Sequence, residues 1–385
     1  MTKFERYLGL RDLPASRTGL LVAFGGLLIL TDLLPNIGLD SEALSLGIEL
    51  VMGVTFLAIA LHDRLDERSR AAWPQHLLAT GIAVVVATAG AEAATRWIFR
   101  DVTTSADSGS FFSRRWANDV ALNQHGFRER EFSLEKPPQT FRIAVVGDSF
   151  TFGNGLAREE RYTDLLDRWL GDRFEVLNFG IPGDNTPEHL DTLVSRVLPA
   201  SPNFVLLQWF VNDIEGSDLS HRPRPAFLIP SPDIHRWLNR HSALYAVANM
   251  RWAELQIMLG WSPSYADYLK QRAGDANSSD AQREAQLVHQ IVEAAHRSHV
   301  DIAFVLFPDT SATLDASYPF AFLHDRMLEM CRAERIQCVD LRERFSSEKD
   351  QRSLWVSPFD HHPSAKANNL AATELFYLLR NQFTR

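Results

Sequence analysis

Two patterns of apolar residues divide the chain near residue 100. The segment before that point contains three long, nearly continuous apolar runs, at 20–34, 44–61 and 77–99. After it, short apolar runs alternate with segments whose apolar residues recur at the spacing of an amphipathic helix. The first pattern is typical of membrane-spanning helices, and the second is typical of a folded domain in which strands and helices follow one another.

The three apolar runs predict a membrane anchor. A helix needs about 20 mostly apolar residues to cross the hydrocarbon core, and the runs at 44–61 and 77–99 approach that length. The run at 20–34 is shorter and contains Asp32. A cleaved signal peptide is an alternative for this run, although the polar residues before it and the further runs after it favour an anchor. Glu92 would be costly against lipid, so it should face a neighbouring helix or an interface.

The basic residues between these runs predict the orientation of the anchor. The tail before the first run carries Lys3, Arg6, Arg11 and Arg17, and the loop at 62–75 carries Arg64, Arg68 and Arg70. The loop at 35–43 has no lysine or arginine, so the positive-inside rule places the tail and the second loop in the cytoplasm. Three spans would then place everything after residue 100 on the outer side of an inner membrane. If the first run does not span, that part would lie in the cytoplasm.

The remaining chain is predicted to be a connector at 101–140 followed by an α/β domain at 141–385. Strands are expected at 141–146, 174–179, 204–210, 302–307 and 336–341, and helices at 160–170, 187–198, 281–299, 320–335 and 365–380. The helix at 187–198 has Thr186 as its expected N-cap and Pro187 at its first position. This alternation predicts a parallel five-stranded sheet with helices on both faces. Residues 215–280 break the alternation and are interpreted as an insertion near the active-site edge.

Charge and cysteine content narrow the range of functions. The net charge of −9, without any run of lysine and arginine, argues against a nucleic-acid-binding protein. The only cysteines, Cys331 and Cys338, exclude a disulfide-based scaffold and leave open either one bridge or two free thiols. No set of cysteine, histidine and carboxylate residues has the spacing of metal ligands, so neither a metal nor another cofactor is expected.

Small and polar residues follow the predicted strands or precede the last helix. Gly147-Asp148-Ser149-Phe150 follows the first strand, Ile181-Pro182-Gly183-Asp184 the second, and Asn212-Asp213 the third; Asp360-His361-His362 precedes the last helix. In an open parallel sheet, ligands bind beyond the carboxyl ends of the strands. We therefore expect these segments to meet at one edge, in an arrangement that a nucleophilic site requires.

These segments resemble the characteristic blocks of the SGNH, or GDSL, hydrolase family over roughly residues 120–385. The resemblance implies a three-layer, doubly wound, flavodoxin-like fold with Ser149 as the nucleophile. It implies Asp360 and His362 as the acid and base of a catalytic triad. The N–H groups of Ser149 and Gly183 and the side-chain amide of Asn212 would form the oxyanion hole. Asp148 and Asp213 are expected to be structural.

Some positions differ from the usual family pattern. Phe210 stands where the third block usually has glycine, and the aspartate lies two rather than three residues before the histidine. His361 competes with His362 for the role of base, and we choose His362 because the family places the base directly before the proline at position 363. The segment 123–128 is similar to the lead-in of some membrane-tethered members.

The residue types predict ester chemistry. A serine hydroxyl becomes a nucleophile when a base removes its proton, and imidazole titrates near neutral pH. With water as acceptor, an acyl-serine intermediate makes the protein an esterase, and with a sugar hydroxyl it makes an O-acyltransferase. The expected substrate is an acyl or acetyl ester on an envelope glycan or lipid. A catalytically silent binding module is the third alternative, which the intact set of site residues disfavours.

Overall fold

The computed structural model describes residues 73–102, 109–113, 120–217 and 219–383, which form two compact units. The first unit contains the described residues up to Asp101 together with Ser242–Val247. The second unit contains the other described residues, including all those of the predicted catalytic site. The apolar runs at 20–34 and 44–61 lie outside the described residues.

The first unit is built on helix α1, Trp73–Ile98, which covers most of the third apolar run. The Glu92 carboxylate accepts hydrogen bonds from the Ser242 hydroxyl at 2.7 Å and from the N–H groups of Ala243 and Leu244 at 3.0 Å. These bonds satisfy the carboxylate that the sequence predicted to face a neighbouring element. Across the described ranges, no helix combines the length with the apolar character that a membrane crossing requires.

A parallel five-stranded sheet forms the centre of the second unit, as predicted. Its strands are β1 (Phe141–Gly147), β2 (Phe174–Gly180), β3 (Phe204–Trp209), β4 (Asp301–Leu306) and β5 (Gln337–Asp340). Their order across the sheet is β2-β1-β3-β4-β5, and every neighbouring pair is parallel. All of β3 and nearly all of β1 is buried, which explains why these strands are continuous apolar runs rather than alternating ones.

Eleven described helices include α1 and the following ten, which precede, connect or follow the strands along the chain. These ten are α2 (Ser149–Phe152), α3 (Tyr162–Leu170), α4 (Thr186–Thr192), α5 (Pro232–His241), α6 (Ala243–Met258), α7 (Tyr265–Ala273), α8 (Ser279–Arg297), α9 (Ala321–Glu334), α10 (Arg342–Ser346) and α11 (Ala365–Phe383). The chain moves one way from β1 to β2 and the other way from β2 onward, so right-handed crossovers place α3 and α4 on opposite faces. Accordingly, α3 packs against α11, and α4 packs against α8.

Two details of the sequence-based reading were wrong. Thr186 is not the N-cap of α4, because it lies in the first turn and its hydroxyl donates to the buried Glu284 carboxylate at 2.7 Å. Asn185 precedes the helix instead, and its N–H donates to Glu188 at 3.2 Å. The predicted set of strands also omitted an antiparallel ribbon of β6 (Trp355–Ser357) and β7 (Asp360–Pro363).

The structure assigns secondary structure to a region that the predicted strands and helices leave out. The segment at 215–280, interpreted as an insertion, contains helices α5, α6 and α7.

Cys331 near the end of α9 and Cys338 in β5 are free thiols. The hydrogen bond between their side chains is the main reason that the pKa of Cys338 is raised.

Candidate active site

The candidate nucleophile lies at a tight turn between β1 and α2. Ser149 is the first residue of α2, and the carboxylate of Asp148 accepts the Phe150 N–H at 2.8 Å as the N-cap. Gly147 permits this turn, because a Cβ there would lie 2.2 Å from Thr151 Oγ1 and 2.4 Å from Gln208 Oε1. The close packing therefore holds Ser149 at the carboxyl end of β1.

The structure brings Ser149, His362 and Asp360 into one hydrogen-bonded chain. His362 Nε2 lies 2.9 Å from Ser149 Oγ, and His362 Nδ1 lies 2.5 Å from Asp360 Oδ1. Asp360 is fully buried and also accepts the His362 N–H at 3.1 Å. The spacing of two residues suits strand β7, because alternate residues of a strand point to the same side. The shortened spacing that departs from the family pattern is thus compatible with the triad geometry.

His361, the competing candidate for the base, has a different environment. Its ring lies 4.3 Å from the Trp355 ring, and its side chain is exposed. Desolvation by neighbouring protein atoms lowers the pKa of His361, and the carboxylates of Asp309 and Asp360 act in the opposite direction. In this arrangement His362 alone of the two histidines contacts Ser149 Oγ.

The predicted oxyanion donors follow three neighbouring strands. Gly183 lies after β2 in a turn closed by the Asp184 N–H and the Ile181 carbonyl at 3.2 Å, and its φ of 89° favours glycine. Within the described ranges, the N–H groups of Ser149 and Gly183 donate no hydrogen bond to the protein. Asn212 follows β3. Because β1 lies between β2 and β3, these turns are adjacent at one edge of the sheet.

Asn212 also interacts with the buried Asp148. Burial raises the pKa of Asp148 to about 6, while hydrogen bonds from the Phe150 N–H and from the Asn212 amide lower it. An amide carries two donor hydrogens, so one can be directed to Asp148 and the other to a developing oxyanion. Asn212 Oδ1 is buried without a hydrogen-bond partner in the described part of the chain.

Replacing Asn212 with alanine is expected to reduce kcat by about 10²–10³-fold with little change in KM, since an oxyanion donor acts in the transition state. Hydrolysis of a short-chain nitrophenyl ester measures both constants. Asn277→Ala, at an exposed position near the start of α8, is the control. A kcat within about threefold of the wild-type value would exclude Asn212 as a main oxyanion donor.

Phe210, which replaces the usual glycine, forms part of an aromatic wall beside the triad. Its ring lies 4.3 Å from the ring of Phe150, which lies 5.7 Å from Phe307 and 5.4 Å from the imidazole of His362. The Phe210 N–H donates to Asp213 Oδ2 at 2.7 Å. Asp213 therefore has the structural role that the sequence predicted, holding the turn that carries Asn212.

A buried polar cluster below this turn was missed by the sequence analysis. His189 Nδ1 lies 3.5 Å from Asp213 Oδ1, and both side chains are fully buried. Burial raises the pKa of Asp213, helped by the carboxylates of Asp148 and Glu284, and burial lowers the pKa of His189 to about 3. Burial therefore favours the uncharged form of both groups despite their proximity.

Glu284 could have been recognised from the sequence. It lies on α8 four residues before Val288 and seven before Ile291, so helical spacing places it on the buried face. A carboxyl at such a position needs partners, and Glu284 accepts the Trp209 indole N–H at 2.9 Å in addition to the Thr186 hydroxyl. Burial raises its pKa.

The buried His189 predicts a pH-dependent stability. Unfolded histidine has a pKa near 6.5. Since the folded value is about 3, the unfolded state binds the proton first as the pH falls from 6.5 towards 3. The histidine's contribution to stability is therefore complete above pH 6.5 and decreases by about 1.4 kcal/mol per pH unit below it. His189→Gln should remove this dependence.

Urea unfolding of both proteins between pH 4 and pH 7 tests the expectation for His189. The difference in unfolding free energy between wild type and His189→Gln isolates this residue, because the buried carboxyls are present in both proteins. His289→Gln, on the exposed face of α8, is the control. Parallel pH profiles for wild type and His189→Gln would contradict a neutral buried imidazole.

The residues of the candidate site lie within a region that matches a known protein family. Residues 145–370 match the GDSL-like lipase/acylhydrolase family. The chain belongs to this family. The GDSL-like region includes the Ser149 turn, Gly183, Asn212 and the β6–β7 ribbon, so it covers every predicted site residue. The family membership inferred from four short motifs is confirmed, and the GDSL-like protein is a hydrolase that acts on ester bonds.

Solved structures resemble the GDSL-like domain only at the level of its fold. A lipolytic protein of the G-D-S-L family from Desulfitobacterium hafniense is 14% identical, with 61% of this chain and 99% of that chain covered and a TM-score of 0.36. A lipase/acylhydrolase from Enterococcus faecalis is 14% identical, with 63% and 97% covered and a TM-score of 0.38. A two-domain esterase active on acetylated mannans is 16% identical, with 64% and 50% covered and a TM-score of 0.35. No curated protein matches this chain.

Within the described ranges, no cluster of three or more histidine, cysteine or acidic side chains could hold a metal ion.

Proposed function

We propose that the protein hydrolyses acyl or acetyl esters through an acyl intermediate on Ser149. The observation that carries this proposal is the continuous hydrogen-bonded chain from Asp360 through His362 to Ser149 Oγ. His362 Nε2 takes the hydroxyl proton as Oγ attacks the ester carbonyl, and it returns that proton to the leaving alcohol. Water, activated by the same imidazole, then releases the acid and regenerates the serine.

The remaining site residues stabilise the charges that develop in these steps. The Ser149 and Gly183 N–H groups and the Asn212 amide donate to the carbonyl oxygen as it becomes negative. The buried Asp360 holds the imidazole with Nε2 facing Ser149 and stabilises the imidazolium. The aromatic rings of Phe150 and Phe210 lie beside His362, which supports an ester whose acyl group is apolar.

We further propose that the ester belongs to an envelope glycan or lipid and that the domain lies on the outer side of an inner membrane. The apolar runs of the sequence and the distribution of basic residues between them support this location, and α1, which lacks the apolar character of a membrane span, is the element on which the orientation depends. An alkaline phosphatase fusion after residue 120 should be active in cells. An inactive fusion, with an active fusion after residue 38, would place the domain in the cytoplasm instead.

Covalent labelling tests the catalytic proposal. A fluorophosphonate probe should modify Ser149, identified by mass spectrometry, and should abolish hydrolysis of a short-chain nitrophenyl ester in proportion to the label. Denatured protein, in which the triad is dispersed, should not react. A folded protein that neither reacts with the probe nor hydrolyses the ester would support the silent binding module.

The same acyl-serine could transfer its acyl group to a sugar hydroxyl instead of water. The turn at Gly183 is exposed, which leaves room for an acceptor larger than water. Incubation with a radiolabelled acetyl ester and a polysaccharide distinguishes the two reactions. Label released as free acid identifies a hydrolase, and label retained on the polysaccharide identifies an O-acyltransferase.

A further inference from the structure

The segment 123–128, which the sequence analysis noted without a role, forms a rigid turn. Asn123 Oδ1 accepts the N–H groups of His125 at 2.9 Å and Phe127 at 3.1 Å, and the Asn123 N–H donates to the Phe127 carbonyl at 2.8 Å. Gly126 has a φ of 84°, a conformation that favours glycine. The ring of Phe127 is buried 4.9 Å from Phe179 of β2, which anchors the turn to the sheet.

This anchored turn directs Arg128 to the loop that follows the nucleophile helix. The side chain is only 6% exposed, and its guanidinium donates to the carbonyls of Phe152 at 3.1 Å, Gly153 at 2.8 Å and Leu156 at 2.6 Å. Helix α2 has only four residues, so the carbonyls at its end need donors from elsewhere. One guanidinium supplies them, in a fork geometry that no other side chain offers.

The position of Arg128 is fixed from its other side as well. The fully buried Arg161 donates to the Arg128 carbonyl at 2.6 Å and to Asp164 Oδ2 at 2.7 Å. The stem of Arg161 packs so closely on Gly153 that a Cβ there would lie 2.4 Å from its Cδ. The loop is therefore held between two buried arginines.

The same loop contacts the ribbon that carries the base. Gly155 lies between Gly153 and Leu156, and a Cβ on it would lie 2.4 Å from Val356 Cγ1. Val356 is the central residue of β6, which pairs with β7, the strand of Asp360 and His362. The path thus runs from Arg128 through the loop to Val356 and, by the pairing of β6 with β7, to the strand that carries His362.

We propose that Arg128 is a positioning residue that sets the distance between Ser149 Oγ and His362 Nε2 by fixing the loop at 153–156. This inference rests on the proposed ester hydrolysis and adds a residue to its machinery. A displacement of about 1 Å between reacting groups can cost about 10²-fold in rate. The guanidinium is thus connected to catalysis without touching the substrate.

The first test is Arg128→Lys. A lysine keeps the charge but loses the fork, so the loop should shift while the fold is retained. We expect kcat for a nitrophenyl ester to fall about 10–100-fold with KM within about twofold of wild type. Arg130→Lys is the matched control, because Arg130 lies two residues after Arg128 but binds Asp167, at 3.0 Å, instead of the loop. Circular dichroism and thermal unfolding verify the fold of both variants.

A double-mutant cycle separates positioning from general destabilisation. If Arg128 acts by aligning His362, Arg128→Lys should have little further effect in a His362→Ala background. The rate of fluorophosphonate labelling of Ser149 is compared in the wild-type and His362→Ala backgrounds. If Arg128→Lys lowered this rate by the same factor in both backgrounds, or did not lower it in the wild-type background, the proposal would be overturned.

A second variant covers the case in which Arg128→Lys does not fold. Val356→Ala removes the contact between loop and ribbon at a half-buried position and should give the same signature with a smaller loss of kcat. An unchanged kcat in Val356→Ala would contradict the contact path. Failure of the proposed function is recognised separately. If His362→Ala hydrolysed the ester as fast as the wild type, the proposed ester chemistry itself would be refuted.

Discussion

Replacing Ser149 with alanine is expected to lower kcat for a short-chain nitrophenyl ester by on the order of 10⁶-fold. Ser149 Oγ is the atom that bonds to the acyl group in the intermediate. Its proton is the one that His362 Nε2, at 2.9 Å, removes. Removing the hydroxyl leaves only the oxyanion donors and substrate binding, which retain about 10³–10⁴-fold over water. KM should change little.

The stability of the Ser149→Ala protein should remain close to that of the wild type. Alanine is a good helix former, and Asp148 continues to cap α2 through the Phe150 N–H. Ser346→Ala, in which an exposed hydroxyl of α10 is lost, is the control for activity and should retain the wild-type rate. Equal hydrolysis rates in wild type and Ser149→Ala, measured on protein purified from the same host, would remove the serine from the mechanism.

Asp360→Asn is expected to lower kcat by about 10⁴-fold while preserving the fold. The asparagine amide would donate to His362 Nδ1, which forces the proton onto Nε2, and a protonated Nε2 cannot accept the hydroxyl proton of Ser149. The carboxylate is fully buried and 2.5 Å from Nδ1, so water cannot replace its role.

Steady-state hydrolysis of the same ester measures the effect of Asp360→Asn. Asp350→Asn is the matched control, since this exposed carboxylate caps a short turn outside the triad. Adding Asp360→Asn to Ser149→Ala should cause little further loss, because the residues of a triad act as a unit. A loss below about tenfold for Asp360→Asn alone would show that the imidazole does not depend on this carboxylate.

The sequence predicted the central sheet and the edge at which the candidate site residues lie. Strands β1 and β3 are continuous apolar runs between turn residues, a pattern that follows from burial on both faces and can be read locally. Because parallel strands end at one edge, Ser149 and Asn212 could be assigned to one site as soon as their strands were recognised. Local sequence patterns are sufficient for both inferences.

General rules predicted helices on both faces of the sheet and restricted the order of the strands without fixing it. Right-handed crossovers allow few arrangements, and the observed order β2-β1-β3-β4-β5 is one of them. The helix at Ser279–Arg297 was recognisable from its apolar spacing, although Glu284 on its buried face was overlooked. A carboxyl breaks the apolar pattern, and only its packed neighbours show that Thr186 and Trp209 satisfy it.

The sequence by itself determined the five strands of the sheet, the helices that alternate with them and the edge of the sheet that carries the chemistry, because those depend on the periodicity of neighbouring residues. Tertiary structure alone decided the pairing of β6 with β7, the neutral pair of His189 and Asp213, and the contact of Arg128 with the nucleophile loop. These features join residues that are distant in sequence, and their energies depend on burial and on atomic distances that no local pattern records.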